Sequence, residues 1–324
     1  MAERVLEGPT PDMIAAARRA AAPFVRETPL LESEWLSALV GRTVLLKCES
    51  LQRTGCFKPR GALAALAGWD PERRARGVLD ASAGNHGLGL AFAARALGMS
   101  CTIVVPRTVP RVKAERMRAL GAQLIEAPAE SFDQARAWML ARRRELRGEV
   151  PGPADEAALM AGGGALALEV LEAAPGVQAL LVPAGWGGLA IGCAVACAGR
   201  AAVWAVNSDA SPGLHRWVSE GRPPAPEEER PTWAEGLQGG TTPHTGRLAR
   251  KHLRGVLLAS EGRVRQASAA LLLRERLLVE PSGAAGVAAL LDGRAPPGAG
   301  PLAVVLTGGN LDPERLQALL ALGD

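Results

Sequence analysis

The chain has 324 residues, of which 48% are hydrophobic, so it can bury a large core and is not a disordered protein. Its net charge of +4 is small for this length, and we interpret the arginines at 142–144 as a solvated helix end rather than a nucleic-acid-binding patch. No run of about 18 apolar residues is free of glycine, proline and charge, and residues 1–4 lack the features of a signal peptide. We therefore expect a cytoplasmic protein that binds neither nucleic acid nor membrane.

Helical patterns alternate along the chain with short apolar runs such as the strand-like residues 101–105. The helical patterns cover residues 15–22, 91–97, 112–120 and 132–146. Such alternation is typical of α/β units with a parallel sheet. The proline-rich segments at 221–231 and 294–300 are predicted to be loops.

The segment Cys-Phe-Lys-Pro-Arg-Gly at 56–61 places Lys58 beside Phe57, directly after a turn-like stretch at 52–55. A lysine used covalently needs surroundings that lower the pKa of its amine and hold it against a carbonyl carbon. By itself the motif is more often that of a surface lysine beside a core phenylalanine. Further segments favour Lys58 as a Schiff-base lysine.

The segment Ser-Ala-Gly-Asn-His-Gly at 82–87 has the character of a glycine-rich turn that opens a helix. Such a turn offers backbone N–H groups to a carboxylate. Within it, the Asn85 amide could hydrogen-bond a ligand oxygen, the alternative being a helix cap.

A strand pattern at 179–183 runs into the glycine loop Gly185-Trp186-Gly187-Gly188-Leu189 and then into a helical stretch that reaches Ala198. Strand, glycine loop and helix form a phosphate-binding arrangement, to which the helix N-terminus contributes about 1 kcal/mol. No lysine stands in the Walker position, which argues against a nucleoside triphosphate.

The same loop formally matches the dinucleotide fingerprint G-x-G-x-x-A at 185–190. That fingerprint expects an acidic residue at the end of the next strand, where this chain has Asn207. A nicotinamide cofactor would also leave Lys58 unexplained, so we favour the phosphate interpretation.

The last β-run, residues 302–306, delivers the hydroxyl of Thr307 at its carboxyl end, just before two glycines. Strand ends of open α/β sheets line ligand crevices. Thr307 is therefore a candidate ligand-binding residue.

Five segments in this order resemble the fold type II pyridoxal phosphate (PLP) family, most of all the threonine and serine dehydratases without a regulatory domain. They are residues 46–52, 56–62, 82–87, 279–289 and 306–310. The resemblance implies an α/β fold like that of the tryptophan synthase β-chain, with two three-layer domains and the cofactor between them. A small mobile domain at 75–148 would be inserted in a large domain made of residues 1–74 and 149–324, and a homodimer is expected.

The resemblance also implies roles for the candidate residues. Lys58 would carry PLP, Phe57 would lie near its ring, Asn85 would contact its phenolate oxygen, and Thr307 would hydrogen-bond the ring nitrogen. The phosphate cradle would be Gly185, Trp186, Gly187, Gly188 and Leu189, and the substrate would meet Ser82, Ala83, Gly84, Asn85 and His86. A neutral hydroxyl at Thr307 leaves the ring nitrogen uncharged, which favours elimination over transamination.

The implied reaction is β-elimination from a hydroxyamino acid, giving a 2-oxo acid and ammonia. Threonine would give 2-oxobutanoate, serine would give pyruvate, and phenylserine or hydroxyaspartate stay open as substrates. The alternatives are a β-replacement enzyme of the cysteine synthase or threonine synthase kind, and a degenerate PLP-binding protein without turnover.

Departures from the family pattern bear on the substrate rather than on the cofactor. Trp186 replaces a glycine of the phosphate loop, which the loop tolerates if Trp186 keeps φ below zero. Cys56 stands where serine is usual, and Gly163 where glutamine is usual. Ala83 stands where serine racemase has a serine, and because alanine cannot transfer a proton, racemisation is disfavoured.

Several members of the family bind a divalent cation after the strand that corresponds to 203–206. The matching positions here are Asn207, Ser211 and Gly213, which include no carboxylate, so we predict no metal. The four histidines lack ligand spacing and the five cysteines form no C-x-x-C pair, as expected for buried thiols in a reducing cytosol.

Overall fold

The computed structural model describes residues 8–225, 228 and 230–321. Residues 1–4, on which the leader prediction rests, lie outside this range, as do three residues of the predicted loop at 221–231. Within the described chain, no helix is long and apolar enough to cross a membrane.

The helices and strands alternate for most of the chain, as the sequence predicts. The helices are α1 (Pro11–Ala21), α2 (Glu34–Val40), α3 (Lys58–Ala67), α4 (Pro71–Arg76), α5 (Asn85–Ala96), α6 (Arg111–Ala119), α7 (Phe132–Ala141), α8 (Pro153–Ala173), α9 (Gly188–Cys197), α10 (Gly213–Glu220), α11 (Pro243–His252), α12 (Glu261–Glu275), α13 (Pro281–Leu291) and α14 (Pro313–Leu320). The strands are β1 (Leu30–Glu32), β2 (Val44–Lys47), β3 (Val78–Ala81), β4 (Cys101–Val105), β5 (Gln123–Glu126), β6 (Ala179–Pro183), β7 (Ala202–Ser208), β8 (Gly255–Ala259) and β9 (Leu302–Val305). Short 3-10 helices cover Glu49–Leu51 and Glu235–Leu237.

The larger sheet has six strands in the order β1-β2-β9-β6-β7-β8, and only β1 pairs antiparallel with its neighbour. Its central strands are apolar on both faces because helices cover both sides, as parallel sheets require. On β6, Leu180 and Val182 pack with α1, α8 and α9, whereas Ala179 and Leu181 pack with α12 and α13. The core thus forms two layers around one sheet.

The smaller sheet is parallel, with the order β3-β4-β5. Helices α5 and α6 cover one face and α7 covers the other. All of these elements lie inside the predicted small domain at 75–148, although the exact boundaries and the mobility of that unit stay predictions.

One helix prediction was too long. The pattern at 132–146 forms a helix only as far as Ala141, where α7 ends. Residues 142–145 are all exposed and charged, so further helical turns would have no apolar face to bury.

A buried cluster of four charges fixes α3 against the larger sheet. The Arg60 guanidinium binds Glu49 (Nε to Oε2, 2.8 Å) and Glu169 (Nη1 to Oε1, 2.6 Å), and Lys47 Nζ lies 2.5 Å from Glu169 Oε2. All four side chains are buried, so their charges have to balance within the cluster. Since Arg60 follows the first residue of α3 by two positions, the cluster ties the first turn of that helix to Glu49 and Glu169.

Candidate active site

Lys58 begins α3 beside the carboxyl end of β9. The preceding residues dock on the segment after that strand, where Phe57 N donates to Thr307 O (3.0 Å) and Cys56 forms an isolated bridge with Gly308. Pro59 follows in the first turn, where its fixed φ suits a helix start and its missing N–H costs nothing. Lys58 and Thr307, predicted from separate motifs, are therefore neighbours.

The Lys58 residue is half-buried, and its Nζ lies 4.9 Å from the centroid of the Phe57 ring. Removal from water lowers the pKa of the Lys58 amine, and the nearby Cys56 and Glu280 oppose this only in part. Helix α5 packs closely against the start of α3, since a Cβ at Gly89 would lie 2.8 Å from Lys58 Cβ. The amine thus has the lowered pKa that covalent chemistry needs.

The predicted phosphate loop joins β6 to the N-terminus of α9. Gly187 has φ of +99°, a left-handed conformation that glycine adopts without strain, and α9 begins at Gly188. The first N–H groups of a helix have no partner inside it, so they are free to bind an anion. Leu189 connects this loop to the lysine segment, because a Cβ at Gly163 would lie 3.1 Å from Leu189 Cδ1 and 3.6 Å from the Phe57 ring.

Trp186 keeps the backbone conformation that the loop requires. Among the described non-glycine residues, positive φ occurs only at Ala198 and Arg276. The Trp186 indole lies against Gly188, where a Cβ would overlap its six-membered ring. The tryptophan therefore covers the first residue of α9 without straining the loop.

The turn at 82–87 ends in the N-terminus of α5. Ser82 Oγ accepts hydrogen bonds from the N–H groups of Gly84 (3.2 Å) and Gly87 (2.9 Å), and His86 Nε2 lies 3.0 Å from Asp80 Oδ2. Ala83 and Gly84 are half-buried between these contacts. The cap residue is Gly84, so the alternative role of Asn85 as a helix cap is wrong.

The Asn85 amide instead lies between two partners that we did not predict as site residues. Its Nδ2 donates to Glu280 Oε1 (2.6 Å), and its Oδ1 accepts from Asn310 Nδ2 (2.7 Å). Burial raises the pKa of the Glu280 carboxyl, an effect that Lys113 and the Asn85 amide oppose. Glu280 and Asn310 lie in the segments 279–289 and 306–310, which carried the family resemblance without revealing these contacts.

The sequence matches the "Pyridoxal-phosphate dependent enzyme" family over residues 21–308. The chain belongs to this family. It is 36% identical to an L-threonine ammonia-lyase of Geobacter sulfurreducens over 92% of this chain and 75% of the relative. It is 34% identical to the serine racemase of Bos taurus over 89% of each chain. The solved structure of maize serine racemase superimposes with a TM-score of 0.89 at 27% identity, covering 98% of both chains.

The residues of the site fit PLP, the cofactor of the family. A lysine amine with a lowered pKa is present for the aldehyde, and the free N–H groups at the start of α9 suit the phosphate. Buried Thr307 and the amide of Asn85 supply neutral groups that can hydrogen-bond the ring. The predicted fold type and cofactor are thereby confirmed, whereas the roles of individual residues stay predictions.

The positions that bind a cation in some members of the family serve other contacts here. Buried Asn207 donates from Nδ2 to Ala184 O and accepts from His215 N (2.8 Å), which ties the end of β7 to the phosphate loop and to α10. Ser211 Oγ accepts from Gly239 N (3.4 Å). The described residues contain no group of three or more histidine, cysteine or carboxylate side chains that could hold a metal ion.

Proposed function

We propose that this PLP-dependent enzyme catalyses β-elimination from a β-hydroxy-α-amino acid, such as L-threonine or L-serine, to a 2-oxo acid and ammonia. The observation that carries the proposal is the Lys58 amine, whose pKa is lowered by burial and whose neighbour Phe57 is hydrogen-bonded through its backbone to the neutral hydroxyl residue Thr307. The similarity to an L-threonine ammonia-lyase supports the same reaction class.

Lys58 is proposed to hold the cofactor and to move the α-proton of the substrate. When bound, PLP supplies a conjugated ring that withdraws electrons from the substrate amino group and so acidifies the α-proton. The Lys58 amine accepts this proton, because its lowered pKa keeps more of it neutral than an exposed lysine would be. Thr307, a neutral partner for the ring nitrogen, limits that electron withdrawal and favours loss of the β-hydroxyl over transamination.

The turn of Ser82, Ala83, Gly84, Asn85 and His86 is proposed to bind the substrate carboxylate. Among the first N–H groups of α5, that of Gly87 binds Ser82 Oγ, which leaves those of Asn85 and His86 for the carboxylate at the positive end of the helix dipole. Ser82 Oγ already accepts two backbone N–H groups, so its O–H is left to donate to the carboxylate. The turn can thus hold the substrate carboxylate through its backbone N–H groups and the Ser82 hydroxyl.

Racemisation is the second candidate, because a serine racemase is about as similar to this chain as the ammonia-lyase is. A racemase must return a proton to the face of the α-carbon opposite the lysine. Ala83 has only a methyl group to offer at the position where the resemblance places the racemase serine. We therefore propose elimination as the principal reaction.

Product analysis distinguishes the candidate reactions. The PLP-loaded protein is incubated with L-serine, and pyruvate, ammonia and D-serine are quantified. We expect equal amounts of pyruvate and ammonia with little D-serine, and we expect Ala83→Ser to raise D-serine relative to pyruvate. More D-serine than pyruvate from the unmodified protein would overturn the proposal, and cysteine formation from an activated serine plus sulfide would indicate β-replacement instead.

A further inference from the structure

A chain of hydrogen bonds leads from the smaller sheet to the Asn85 amide. Arg116, on α6, donates from Nη1 to Asn310 Oδ1 and from Nη2 to Thr54 O (3.0 Å). Asn310 in turn donates from Nδ2 to Thr54 O (2.9 Å) and to Asn85 Oδ1 (2.7 Å). Asn85 Nδ2 completes the chain at Glu280 Oε1 (2.6 Å).

The direction of donation along this chain is fixed from the Arg116 end. Arginine can only donate, and the Thr54 carbonyl can only accept. Asn310 therefore has to present its oxygen to Arg116 and its two N–H groups to Thr54 and Asn85. Asn85 then has to present its oxygen to Asn310, which leaves one N–H for Glu280 and one N–H unused. The oxygen and nitrogen ends of an asparagine amide are nearly equal in shape, so the hydrogen-bond partners decide which end faces which way.

We propose that Arg116 and Asn310 are positioning residues that hold the free N–H of Asn85 toward the phenolate oxygen of PLP. The inference rests on the proposed place of Asn85 beside the cofactor. A phenolate oxygen accepts hydrogen bonds, so it is bound only if the nitrogen of Asn85, and not its oxygen, faces the ring. In this arrangement both residues act through Asn85.

The space around Asn310 supports a dedicated role. A Cβ at Gly55, which has φ of +73°, would lie 2.5 Å from Asn310 Oδ1. Any side chain at position 55 would therefore displace the amide that Arg116 holds. Arg116 also reaches from the smaller sheet unit to residues 54 and 310 of the larger one, so the Asn85 amide is set only while the two units are in contact.

The absorbance spectrum of the PLP-loaded protein tests the inference without turnover. A donor at the phenolate oxygen stabilises the tautomer of the lysine-bound cofactor in which this oxygen is negative, and that tautomer absorbs at the longer wavelength. The variants are Arg116→Met, which removes the outer donor, and Asn310→Asp, which cannot donate to Asn85. Arg118→Met is the matched control, because Arg118 is exposed on the same helix.

We expect the ratio of the long-wavelength to the short-wavelength band to fall about 3-fold in Arg116→Met and about 10-fold in Asn310→Asp, the range that one hydrogen bond spans. Arg118→Met should keep the wild-type ratio. Wild-type ratios in both test variants would overturn the inference, and if Arg116→Met does not fold, Asn310→Asp decides alone. A protein that shows these shifts but releases no 2-oxo acid would contradict the proposed reaction and still support the positioning role.

Discussion

At the scale of single residues, Lys58 is held where its charged form is disfavoured. The folded protein binds a proton at Lys58 less readily than the unfolded chain does, because burial lowers the pKa of the amine. When the pH is below the pKa that the Lys58 amine has in the folded protein, folding carries the full cost of desolvating its charge. When the pH is above the pKa of the amine in the unfolded chain, near 10.4, the amine is neutral in both states and that cost disappears. The stability of the PLP-free protein should therefore rise with pH between these two values.

Replacing Lys58 by methionine removes this cost. Without PLP, we expect Lys58→Met to melt at a higher temperature than the wild type at neutral pH, with the difference narrowing toward pH of about 10. Lys251→Met is the control, since exposed Lys251 has no such burial, and it should follow the wild type at every pH. A constant difference between wild type and Lys58→Met across this range would show that the amine is not desolvated.

The sequence predicted the residues whose chemistry is local and missed those whose role depends on distant contacts. Lys58, Thr307 and the glycine loop stand in short motifs, and the structure places them as neighbours or joins them through Phe57 and Gly163. Asn85 and Glu280 are 195 residues apart in the chain, and no pattern in either segment indicates that they pair. No motif in the sequence distinguishes Arg116 from a surface arginine.

At the scale of elements, helix α8 shows how three consecutive glycines divide their roles. A Cβ at Gly164 would overlap the backbone of Gly192 on α9, and one at Gly162 would overlap the backbone of α3. Gly163 lies between them and faces the side chains of Leu189 and Phe57, which can move. The sequence indicated only that Gly163 stands where the related dehydratases usually have glutamine, and it did not reveal these helix contacts.

Alanine substitutions separate these roles. Gly164→Ala should lower the free energy of unfolding by about 2 kcal/mol, because separating two backbones costs about 3 kcal/mol and the better helix propensity of alanine returns about 1 kcal/mol. Gly163→Ala makes the same propensity gain with contacts to side chains only, so it should cost little stability. Urea denaturation measures both, and equal losses would contradict the assigned helix contact.

The buried charge cluster makes a second prediction about α3. Arg60→Met would leave Glu49 and Glu169 with Lys47 as their only cation in the cluster, and we expect a loss of about 3–5 kcal/mol in the free energy of unfolding. The control is Arg18→Met, which breaks the solvent-exposed pair with Glu172 and should cost less than about 1 kcal/mol. Similar losses for the two variants in urea denaturation would show that the cluster does not hold α3.

At the scale of the whole molecule, the chain forms two sheets that meet around the lysine and the two helix N-termini. The parallel α/β architecture and the family were predictable, because apolar strand patterns and five motifs occur in order along the chain. The residue at which α7 ends was not predictable, because it depends on the apolar surface that the last turn can pack against. Dimer formation and the cytoplasmic location stay predictions.

We propose that residues 75–148 move as a unit and close on the substrate, which hydrogen exchange can test. The PLP-loaded protein is compared with and without L-alanine, an α-amino acid that has no β-hydroxyl to lose. We expect slower hydrogen exchange in the turn at 82–87 and in the chain segments that connect the two sheets, because closure would protect their backbone N–H groups. The exchange rates of strands β6 and β9 should be unchanged. Unchanged exchange throughout the unit, despite bound amino acid, would argue against closure.

If Lys58 serves a β-eliminating PLP site, release of a 2-oxo acid has to depend on this lysine. The PLP-loaded wild type and Lys58→Ala are each supplied with L-threonine, L-serine and bulkier β-hydroxy amino acids. We predict 2-oxo acid and ammonia from at least one of these substrates with the wild type, and none with Lys58→Ala. Full activity in Lys58→Ala, or no release by a wild type that visibly holds PLP, would contradict the account.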